Sequence, residues 1–338
     1  MGISLFLIIV LLLVLGAEFV NGWTDAPNAI VTVVGTRVLS LRKAIIIATV
    51  GNAAGIFISM YFGVKVAKTI GSGFVHTQYV DLIMVASTML TIIIWSMFTF
   101  IYDGLPTSES HALVAAISGA GFATAGIQAL VLSGWDSGIA KVGYGLLCSS
   151  VIGFFGSYLL TKVIIFFMRF INVRQERSWF STMQKITALF MGISHGYGDG
   201  QKFIGIFVLA LFSEKIIPEF AVPVWVCVLC AGVMALGTSL GGWKIIKTMG
   251  RQLVDLQRFQ GVASELWASF TIMTAGSFGI PLSTTHTIGT SIMGAGYAQR
   301  KSALNKTKAK RIIWAWVLTF PACWILSYLI TTFMRLIL

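Results

Sequence analysis

The amino-acid sequence has little charge. Lysine, arginine, aspartate and glutamate make up only 11% of its 338 residues, whereas a soluble domain carries roughly 25%. No polar stretch exceeds about twenty residues, which leaves no room for a sizeable soluble domain. In place of charge there are apolar runs of about 20 residues, the length that a helix needs to cross a bilayer. The sequence predicts an all-α polytopic protein of the cell membrane, with residues 1–338 forming a single transmembrane domain.

Cysteine and histidine are also scarce. The four cysteines all lie in apolar runs, and the C-x-x-C pair of Cys227 and Cys230 stands within VWVCVLCAG, a context typical of small packing residues. The four histidines include no H-E-x-x-H pattern of a zinc enzyme. We therefore expect neither a cofactor nor an enzymatic activity.

Acidic residues are half as frequent as basic ones, 12 against 24, which gives a net charge of +12. The basic residues lie mostly in short loops between apolar runs, as they do in the cytoplasmic loops of membrane proteins. We therefore attribute the positive charge to membrane orientation and expect no binding of nucleic acid.

One polar segment occurs twice among the apolar runs. Pro281–Gly296 reads PLSTTHTIGTSIMGAG and Pro106–Gly121 reads PTSESHALVAAISGAG, with seven of the sixteen positions identical. Ordinary residue frequencies would give roughly one identity by chance. The comparison indicates that the chain contains the same unit twice, and the Gly-Ala-Gly ends are typical of close helix packing.

A second pair of segments supports this duplication. Residues 21–28, NGWTDAPN, align with residues 195–202, HGYGDGQK, and the glycine and aspartate are identical. The aspartate precedes the proline of the repeated motif by 81 residues in the first half and by 82 in the second. Because glycine and proline interrupt helices, we expect a broken helix at both segments.

The charges of the loops predict how the two halves are oriented. Loop 37–43 has three basic residues, whereas its counterpart, 213–219, has one lysine and two glutamates. Loop 133–141 has one lysine, whereas its counterpart, 300–311, has six basic residues. The basic side thus changes between the halves, which about five net crossings per half would produce.

We therefore predict two repeats of inverted topology, residues 1–174 and 175–338, with their junction in the polar stretch 169–185. Both chain ends would lie outside the cell, although residues 1–40 are long enough for two crossings. Inverted repeats are an architecture of transporters, in which broken helices or re-entrant hairpins meet at a central site near the bilayer midplane.

The repeated motif is suited to a helix that starts inside the membrane. Pro106 and Pro281 are expected to end one segment, and the hydroxyls that follow to cap the next helix near His111 or His286. A helix start binds anions because its free amides converge there and its dipole is positive. The candidate anion ligands are Ser108, Ser110, Ser283, Thr284 and Thr285.

Asp25 and Asp199 are expected at comparable depth in the two broken segments, where carboxylates are costly and point to a function. Two carboxylates repel an anion unless cations or protons accompany it, so this requirement couples the anion to the cations. Lys202, one turn or less from Asp199, would offset further charge. The alternative is that both aspartates are structural partners of Lys202 or Arg37.

The prolines and histidines of the motifs also have a structural explanation. A lone histidine on an apolar helix is usually a hydrogen-bonded core residue, with direct ligand contact as the alternative for His111 and His286. We assign a supporting role to Pro106, His111, His195, Pro281 and His286.

Two further carboxyl groups lie outside the motifs. Glu18 and Glu265 each interrupt an apolar run. A proton-carrying role and a buried hydrogen bond are the two alternatives for each of them.

At these residues the chain resembles the inorganic phosphate transporter family, secondary symporters of phosphate with sodium or protons. HGYGDGQKFIGI is similar to the second signature of that family, HGANDGQKxxGI, and NGWTDAPNAI is similar to the bacterial form of the first, NGFHDTANAV. Both copies of Pro-x-Ser-x-[Ser/Thr]-His are present as well. Four motifs in the same order make the resemblance specific, and it spans nearly the full chain.

The resemblance implies roles for these residues. The coupling sodium ion or proton would be bound by Asp25, Asn28 and Asp199, with sodium expected only at Asp25 and Asp199. Glu109 is a further candidate for the coupling proton, on account of its carboxyl group and not of the resemblance. Phosphate would be bound by Ser108, Ser110, Ser283, Thr284, Thr285, Gln201 and Lys202.

The sequence departs from the family pattern at three positions. Thr24 and Gly198 stand where the family has asparagine, or histidine in some first copies, before the signature aspartate. Glu109 stands where the family often has serine. These changes argue against a full sodium cage and add a proton carrier, so sodium and protons both stay open as coupling ions.

We expect a secondary active symporter that imports inorganic phosphate while its two halves rock about the central site. The alternatives are a permease for sulfate or a metal–phosphate complex, a channel, and a membrane-embedded metalloenzyme built on His195 and Asp199. The expected partners are inorganic phosphate and membrane lipid, and a homodimer is left open.

Overall fold

The computed structural model describes residues 4–132, 134, 137–170, 173–300 and 303–338. In chain order the helices are α1 (Leu5–Thr24), α2 (Val31–Gly35), α3 (Leu41–Phe62), α4 (Lys65–Ser72), α5 (Leu82–Asp103), α6 (Glu109–Ala125), α7 (Gly138–Met168), α8 (Val173–Ser213), α9 (Val224–Ser239), α10 (Trp243–Lys247), α11 (Arg258–Ser277), α12 (Thr284–Gln299) and α13 (Lys306–Ile337). Turns of 3-10 helix cover Ala26–Ile30, Thr77–Tyr79 and Gly126–Ala129, and a π-helical turn covers Thr248–Leu253. Parts of three loops used for the topology prediction lie outside the described residues.

Side-chain caps set the start of several helices, because the first amides of a helix have no partner within it. Ser4, Asp81, Ser137 and Asn305 each accept a hydrogen bond from the backbone amide three residues ahead, and so begin α1, α5, α7 and α13. Three of these helices follow a polar loop, where the sequence changes from turn residues to an apolar run.

Among the described residues, six helical segments are long and apolar enough to cross a membrane, and a bent pair adds a seventh. The first of them runs over Leu5–Gly35 as one span, so α1 and α2 form a single crossing candidate. The bent pair joins Val224–Ser239 to Trp243–Gly250 at 61°. α8, α11 and α12 are not among the six, since α8 carries a charged segment and α12 has only 16 residues. The ten crossings that the loop charges suggest stay a prediction.

The prediction of a helix break at SHGYGDGQK is wrong, because α8 continues through this segment without interruption from Val173 to Ser213. The glycines serve packing. A Cβ atom built at Gly196 would lie 2.0 Å from the carbonyl oxygen of Asn52 on α3, and one at Gly200 would lie 2.3 Å from Ile56. The backbones of α3 and α8 therefore touch at these positions, as small residues allow between membrane helices.

The broken helix expected in the first copy stays a prediction, although the helix changes its geometry at this segment. α1 ends at Thr24, and the chain continues through the 3-10 turn Ala26–Ile30, with Pro27 in its first turn, into α2. The polar stretch 169–185, which is predicted to join the two halves, is mostly helical. α7 ends at Met168 and α8 begins at Val173, so most of the polar stretch 169–185 is the first part of a helix.

Helices of residues 1–174 pack on helices of residues 175–338 in a matched pattern. α3 packs on α8, and α9 packs on α1; α7 packs on α12, and α13 packs on α6. The isolated antiparallel bridges correspond as well, since Val75 pairs with Leu130 in one half and Val254 with Leu304 in the other. Each half thus contributes the same surfaces to a shared interface, and the centre of the molecule lies between them.

The Gly-Ala-Gly ends of the repeated motif are packing elements, as expected. A Cβ atom at Gly119 would lie 2.3 Å from the carbonyl oxygen of Trp324, and one at Gly294 would lie 2.1 Å from that of Phe154. These contacts bring α6 against α13 and α12 against α7 at matching positions in the two halves. One close backbone approach on each motif helix thus holds it in place.

Candidate functional site

Two helix–turn–helix units place the repeated motifs at the centre. α5 ends at Asp103 and is followed by Gly104, and Gly279 follows α11 two residues after its end; these glycines have positive φ angles of 57° and 70°. Ser108 and Ser283 then accept hydrogen bonds from the amides of His111 and His286 and begin α6 and α12. The helices start two residues earlier than the histidines, and the glycines, rather than Pro106 and Pro281, end the preceding helices.

The tips of the two units touch each other. The hydroxyl of Ser110 donates to the carbonyl oxygen of Leu282 at 2.9 Å. In the corresponding contact, the hydroxyl oxygen of Thr285 lies 3.4 Å from the carbonyl oxygen of Thr107. The starts of α6 and α12 therefore point at a common region, and the positive ends of both helix dipoles meet there.

Asp25 binds the motif of the second half. Its Oδ1 accepts hydrogen bonds from the hydroxyl of Thr285 and from the amide of Asn28. The amide of Asn28 also lies 3.2 Å from the Thr285 hydroxyl oxygen, which closes a three-residue cluster. All three side chains are buried.

The Asp199 segment contacts the motif of the first half through Lys202. Oδ1 of Asp199 accepts a hydrogen bond from the Lys202 ammonium group at 2.5 Å, and Lys202 also donates to the hydroxyl of Ser110. A third donation goes to the carbonyl oxygen of Leu282, at 3.2 Å. Lys202 is only 1% exposed, so its charge is balanced inside the protein and not by water. Asn28 and Lys202 occupy equivalent positions, yet only Lys202 brings a charge.

Thr284 joins the two aspartates. Its hydroxyl lies 3.3 Å from Oδ2 of Asp25 and 3.1 Å from Oδ2 of Asp199. A hydroxyl has a single proton to donate, so it can satisfy only one of these oxygens at a time. The facing carboxylates thus have an unmet need for positive charge, which a proton or a cation between them would satisfy.

His195 stands beside the same oxygens. Its Nε2 is 3.7 Å from Oδ2 of Asp199 and 3.9 Å from Oδ2 of Asp25, and its Nδ1 is 3.0 Å from Oδ1 of Asn52. The ligand atoms of Asp25, His195 and Asp199 all lie within 4.8 Å of one another, which is a spacing that can hold a metal ion. Two carboxylate oxygens and one imidazole suit a hard or borderline cation.

Glu109 lies next to this centre. Its Oε1 accepts hydrogen bonds from the hydroxyls of Ser96, at 2.5 Å, and Thr24, at 3.3 Å. Its Oε2 has no hydrogen-bond partner among the described residues, and the side chain is 3% exposed. Thr24 and Glu109, two of the positions at which the sequence departs from the family pattern, therefore contact each other.

His111 and His286 do not face the carboxylates. Their rings contact each other edge to face, with centroids 4.4 Å apart, and His286 stacks on Trp316 at 3.9 Å. The indole nitrogen of Trp316 donates to the carbonyl oxygen of Pro106 at 2.8 Å. These contacts support the two tips, and they remove His111 and His286 from any cluster with His195 and Asp199.

Gln201 is turned away from the centre. Its Oε1 accepts a hydrogen bond from the amide of Val66 at the start of α4, at 3.0 Å, and its Nε2 donates to the carbonyl oxygen of Tyr197 at 2.7 Å. The structure therefore does not bring Gln201 together with the other residues predicted to bind phosphate.

Several residues of the site were not predicted from the sequence. Asn52 is a lone amide within an apolar run, and such a residue is a sequence signal for a buried polar site. Thr24 and Ser96 gave no sign that they would bind Glu109, because pairing between helices is a tertiary property. The indole of Trp316 resembles any other aromatic residue of an apolar helix.

Apolar helices of bilayer length that enclose a fully buried charged centre define a multi-pass membrane protein. The profile of the phosphate transporter family matches two stretches, residues 21–178 and 169–327, so the chain belongs to that family. Its members are transport proteins, and the chain is not an enzyme.

Curated relatives agree with this assignment. A probable low-affinity inorganic phosphate transporter of Rhizobium meliloti is 37% identical, over 92% of this chain and 91% of its own length. One of the same description from Bacillus subtilis is 36% identical, over 93% and 92%. A solved structure titled "The sodium-dependent phosphate transporter" superposes with a TM-score of 0.82, over 99% of this chain and 100% of its own, at 21% identity. That likeness concerns the fold.

Proposed function

We propose that this protein is a secondary active symporter that imports inorganic phosphate together with protons or sodium ions. The family assignment and the names of the curated relatives support phosphate as the substrate. The mechanism rests on one observation: at the centre, each aspartate segment contacts the repeated motif of the other half. The Asp25 segment pairs with the hydroxyl of Thr285, and the Asp199 segment pairs with that of Ser110.

Phosphate binds where the starts of α6 and α12 converge. Two helix dipoles and their free amides favour an anion there, and the hydroxyls of Ser110, Thr284 and Thr285 add donors. Lys202 supplies the fixed positive charge. Ser108 and Ser283 accept hydrogen bonds from the backbone amides of His111 and His286. Their role is therefore to shape the helix starts that receive the anion.

The coupling cation or proton binds at the facing oxygens of Asp25 and Asp199. Two negative carboxylates within 4.8 Å of each other repel phosphate, and Lys202 offsets only one of them. A proton or sodium ion at Asp25 removes that repulsion, so phosphate affinity rises when the cation is present. Glu109, with one unpaired oxygen beside this centre, is a second place for a proton.

Transport follows from the two-fold arrangement of the repeats 1–174 and 175–338. The matched contacts of α3 with α8 and of α9 with α1 support two inverted halves that rock about the common centre. Moving one net charge through about 100 mV is worth about 2.3 kcal/mol, so accompanying cations also supply driving force.

Uptake of labelled phosphate into proteoliposomes tests the proposal. Sodium and proton gradients are imposed separately, and one of them should drive accumulation. Asp25→Asn and Asp199→Asn should each abolish uptake although the variants still insert into the membrane. Wild-type rates in either purified variant would refute the assigned roles.

Competition separates phosphate from other oxyanions. Arsenate resembles phosphate in charge and in its acidic proton, whereas sulfate has no proton to donate to Asp25 or Asp199 at neutral pH. We expect arsenate to inhibit uptake and sulfate to leave it unchanged. Inhibition by sulfate alone would reassign the substrate.

A neutral metal–phosphate complex is a second candidate substrate. The Asp25, His195 and Asp199 cluster favours it, because these three side chains together offer metal ligands beside the anion region. The test is uptake of labelled phosphate with and without a chelator of divalent metals. Loss of uptake in the chelator, restored by magnesium, would support the complex, and unchanged uptake would exclude it.

A further inference from the structure

A second buried polar group lies on α1, outside the centre just described. Glu18 and Asn21 are both 0% exposed. Within the part of the chain that the structure describes, neither carboxylate oxygen of Glu18 and neither amide atom of Asn21 has a hydrogen-bond partner. A buried polar group without a partner costs about 1–3 kcal/mol, and a charged one costs more. Four such atoms within one helical turn need an explanation.

The two residues continue the polar face of α1 that ends at Asp25. Positions 18, 21 and 25 are spaced by three and four residues, so their side chains share one side of the helix. At about 1.5 Å of rise per residue, Glu18 lies about 10 Å from Asp25 along the helix axis. In the predicted topology, this places Glu18 on the extracellular side of Asp25.

The second half has no carboxylate at the equivalent position. The alignment of residues 21–28 with 195–202 sets Asn21 opposite His195, and Glu18 opposite Gly192. A Cβ atom at Gly192 would lie 3.4 Å from the backbone of Gly51, so α8 uses that position for close contact with α3. On α1 the same position carries a carboxyl group whose two oxygens have no hydrogen-bond partner among the described residues.

The charges around Glu18 leave it without a partner of its own. α1 packs on α5, α8 and α9. α5 has no charged residue from Leu82 to Tyr102, and α9 offers only the thiols of Cys227 and Cys230. The charged groups in electrostatic range are Asp199, Glu109 and Lys202, and the imidazole of His195 on α8 lies beside Asp199. The ammonium group of Lys202 is 2.5 Å from Asp199, so its charge is already balanced there.

We propose that Glu18, with Asn21 beside it, is an additional proton-binding site through which one transported proton passes. This inference rests on the proposed function and extends it. A hard cation bound by oxygen takes about six ligands, and these two side chains offer three oxygen atoms, whereas a proton needs one. An O–H bond forms on Glu18 when the proton enters and breaks when it moves on, with Asn21 able to donate to and accept from a bridging water.

The proton-to-phosphate ratio tests the proposal. Proteoliposomes contain a pH-sensitive dye, and labelled phosphate reports substrate movement in the same preparation. Glu18→Gln should carry one proton fewer per phosphate than the wild-type protein, and Glu18→Asp should restore the ratio. An unchanged ratio in Glu18→Gln overturns the proposal. Absence of phosphate movement by the wild-type protein would instead refute the proposed function.

Glu265→Gln is the matched control, since both oxygens of that buried carboxyl group are bound by the hydroxyls of Thr32 and Thr187. The Glu265→Gln ratio should equal that of the wild type, and a loss in both variants would overturn the specific role of Glu18. If the Glu18→Gln variant does not transport, infrared titration of the purified protein provides a second readout. The difference spectrum of wild type minus Glu18→Gln should contain one protonated-carboxyl band, and its absence overturns the proposal.

Discussion

The two aspartates of the centre differ in what balances them. Asp199 has the charge of Lys202 at 2.5 Å, whereas Asp25 has hydrogen bonds from the uncharged Asn28 and Thr285. A carboxylate with only neutral donors in low dielectric gains more from a bound cation than one that is already paired. Asp25 is therefore the residue at which we expect coupling to begin.

Thr284 should matter because of its hydroxyl and not its shape. Thr284→Val removes the hydroxyl that lies within hydrogen-bond distance of both aspartates, and hydrogen bonds to charged groups are worth about 1.5–3 kcal/mol. Phosphate uptake should fall roughly ten- to hundredfold. Thr284→Ser should keep most of it. Thr287→Val, which loses only a bond to its own helix, is the control and should stay near the wild-type rate.

Lys202 should be essential for stability as well as for transport. Lys202→Met leaves Asp199 buried without its cation, and breaking one side of a buried pair costs about 3–5 kcal/mol. Thermal unfolding in detergent should show a large loss for Lys202→Met and a smaller one for the double variant Asp199→Asn, Lys202→Met. Equal stability of the two variants would contradict a charge-balancing role.

At the scale of elements, sequence patterns predicted the starts of α6 and α12 well, because Ser108 and Ser283 act through local capping. They failed at α8, where glycines next to Asp199 suggested a break. Glycine lowers helix propensity by about 1 kcal/mol, but close contact with α3 compensates for it. Whether a glycine breaks a helix or lets two helices touch depends on the neighbour, which the sequence does not show.

The crossing of α3 and α8 gives an element-scale prediction. Gly196→Ala places a Cβ atom 2.0 Å from the carbonyl oxygen of Asn52, so the helices must separate. We expect a loss of several degrees in thermal unfolding, and with it a loss of uptake, because His195 and Asp199 move with α8. Gly232→Ala on α9 is the control, since nothing lies within 4 Å of its added atom and alanine favours the helix. Similar effects of both substitutions would argue against the packing explanation.

At the scale of the whole molecule, the repeated motifs predicted which residues share the centre. Asp25, Asp199, Ser110 and Thr285 come together although their positions span most of the chain. The exchange between halves was not predictable from the sequence. Two copies of a motif identify equivalent residues, but they do not say whether each aspartate pairs within its own half or across to the other.

The predicted inverted orientation of the halves would make the corresponding loops 37–43 and 213–219 face opposite sides of the membrane. Ser40 precedes α3 and Glu214 follows α8, and both are exposed. In a variant with the four cysteines replaced, a membrane-impermeant thiol reagent applied to intact cells should label Glu214→Cys and spare Ser40→Cys. Disrupted cells should label both. Labelling of both positions in intact cells would contradict inverted repeats.

The Asp25 and Asp199 segments each contact the repeated motif of the other half, and this has a consequence for ion leakage. Any rearrangement that pulls the halves apart at one face must release Thr285 from Asp25 or Ser110 from Lys202, and those contacts share one small volume. A state that is open to both faces at once would lose both sets of bonds and hydrate three buried charges. Such a protein should pass little current without substrate, and its basal conductance would measure how firmly the two halves hold each other.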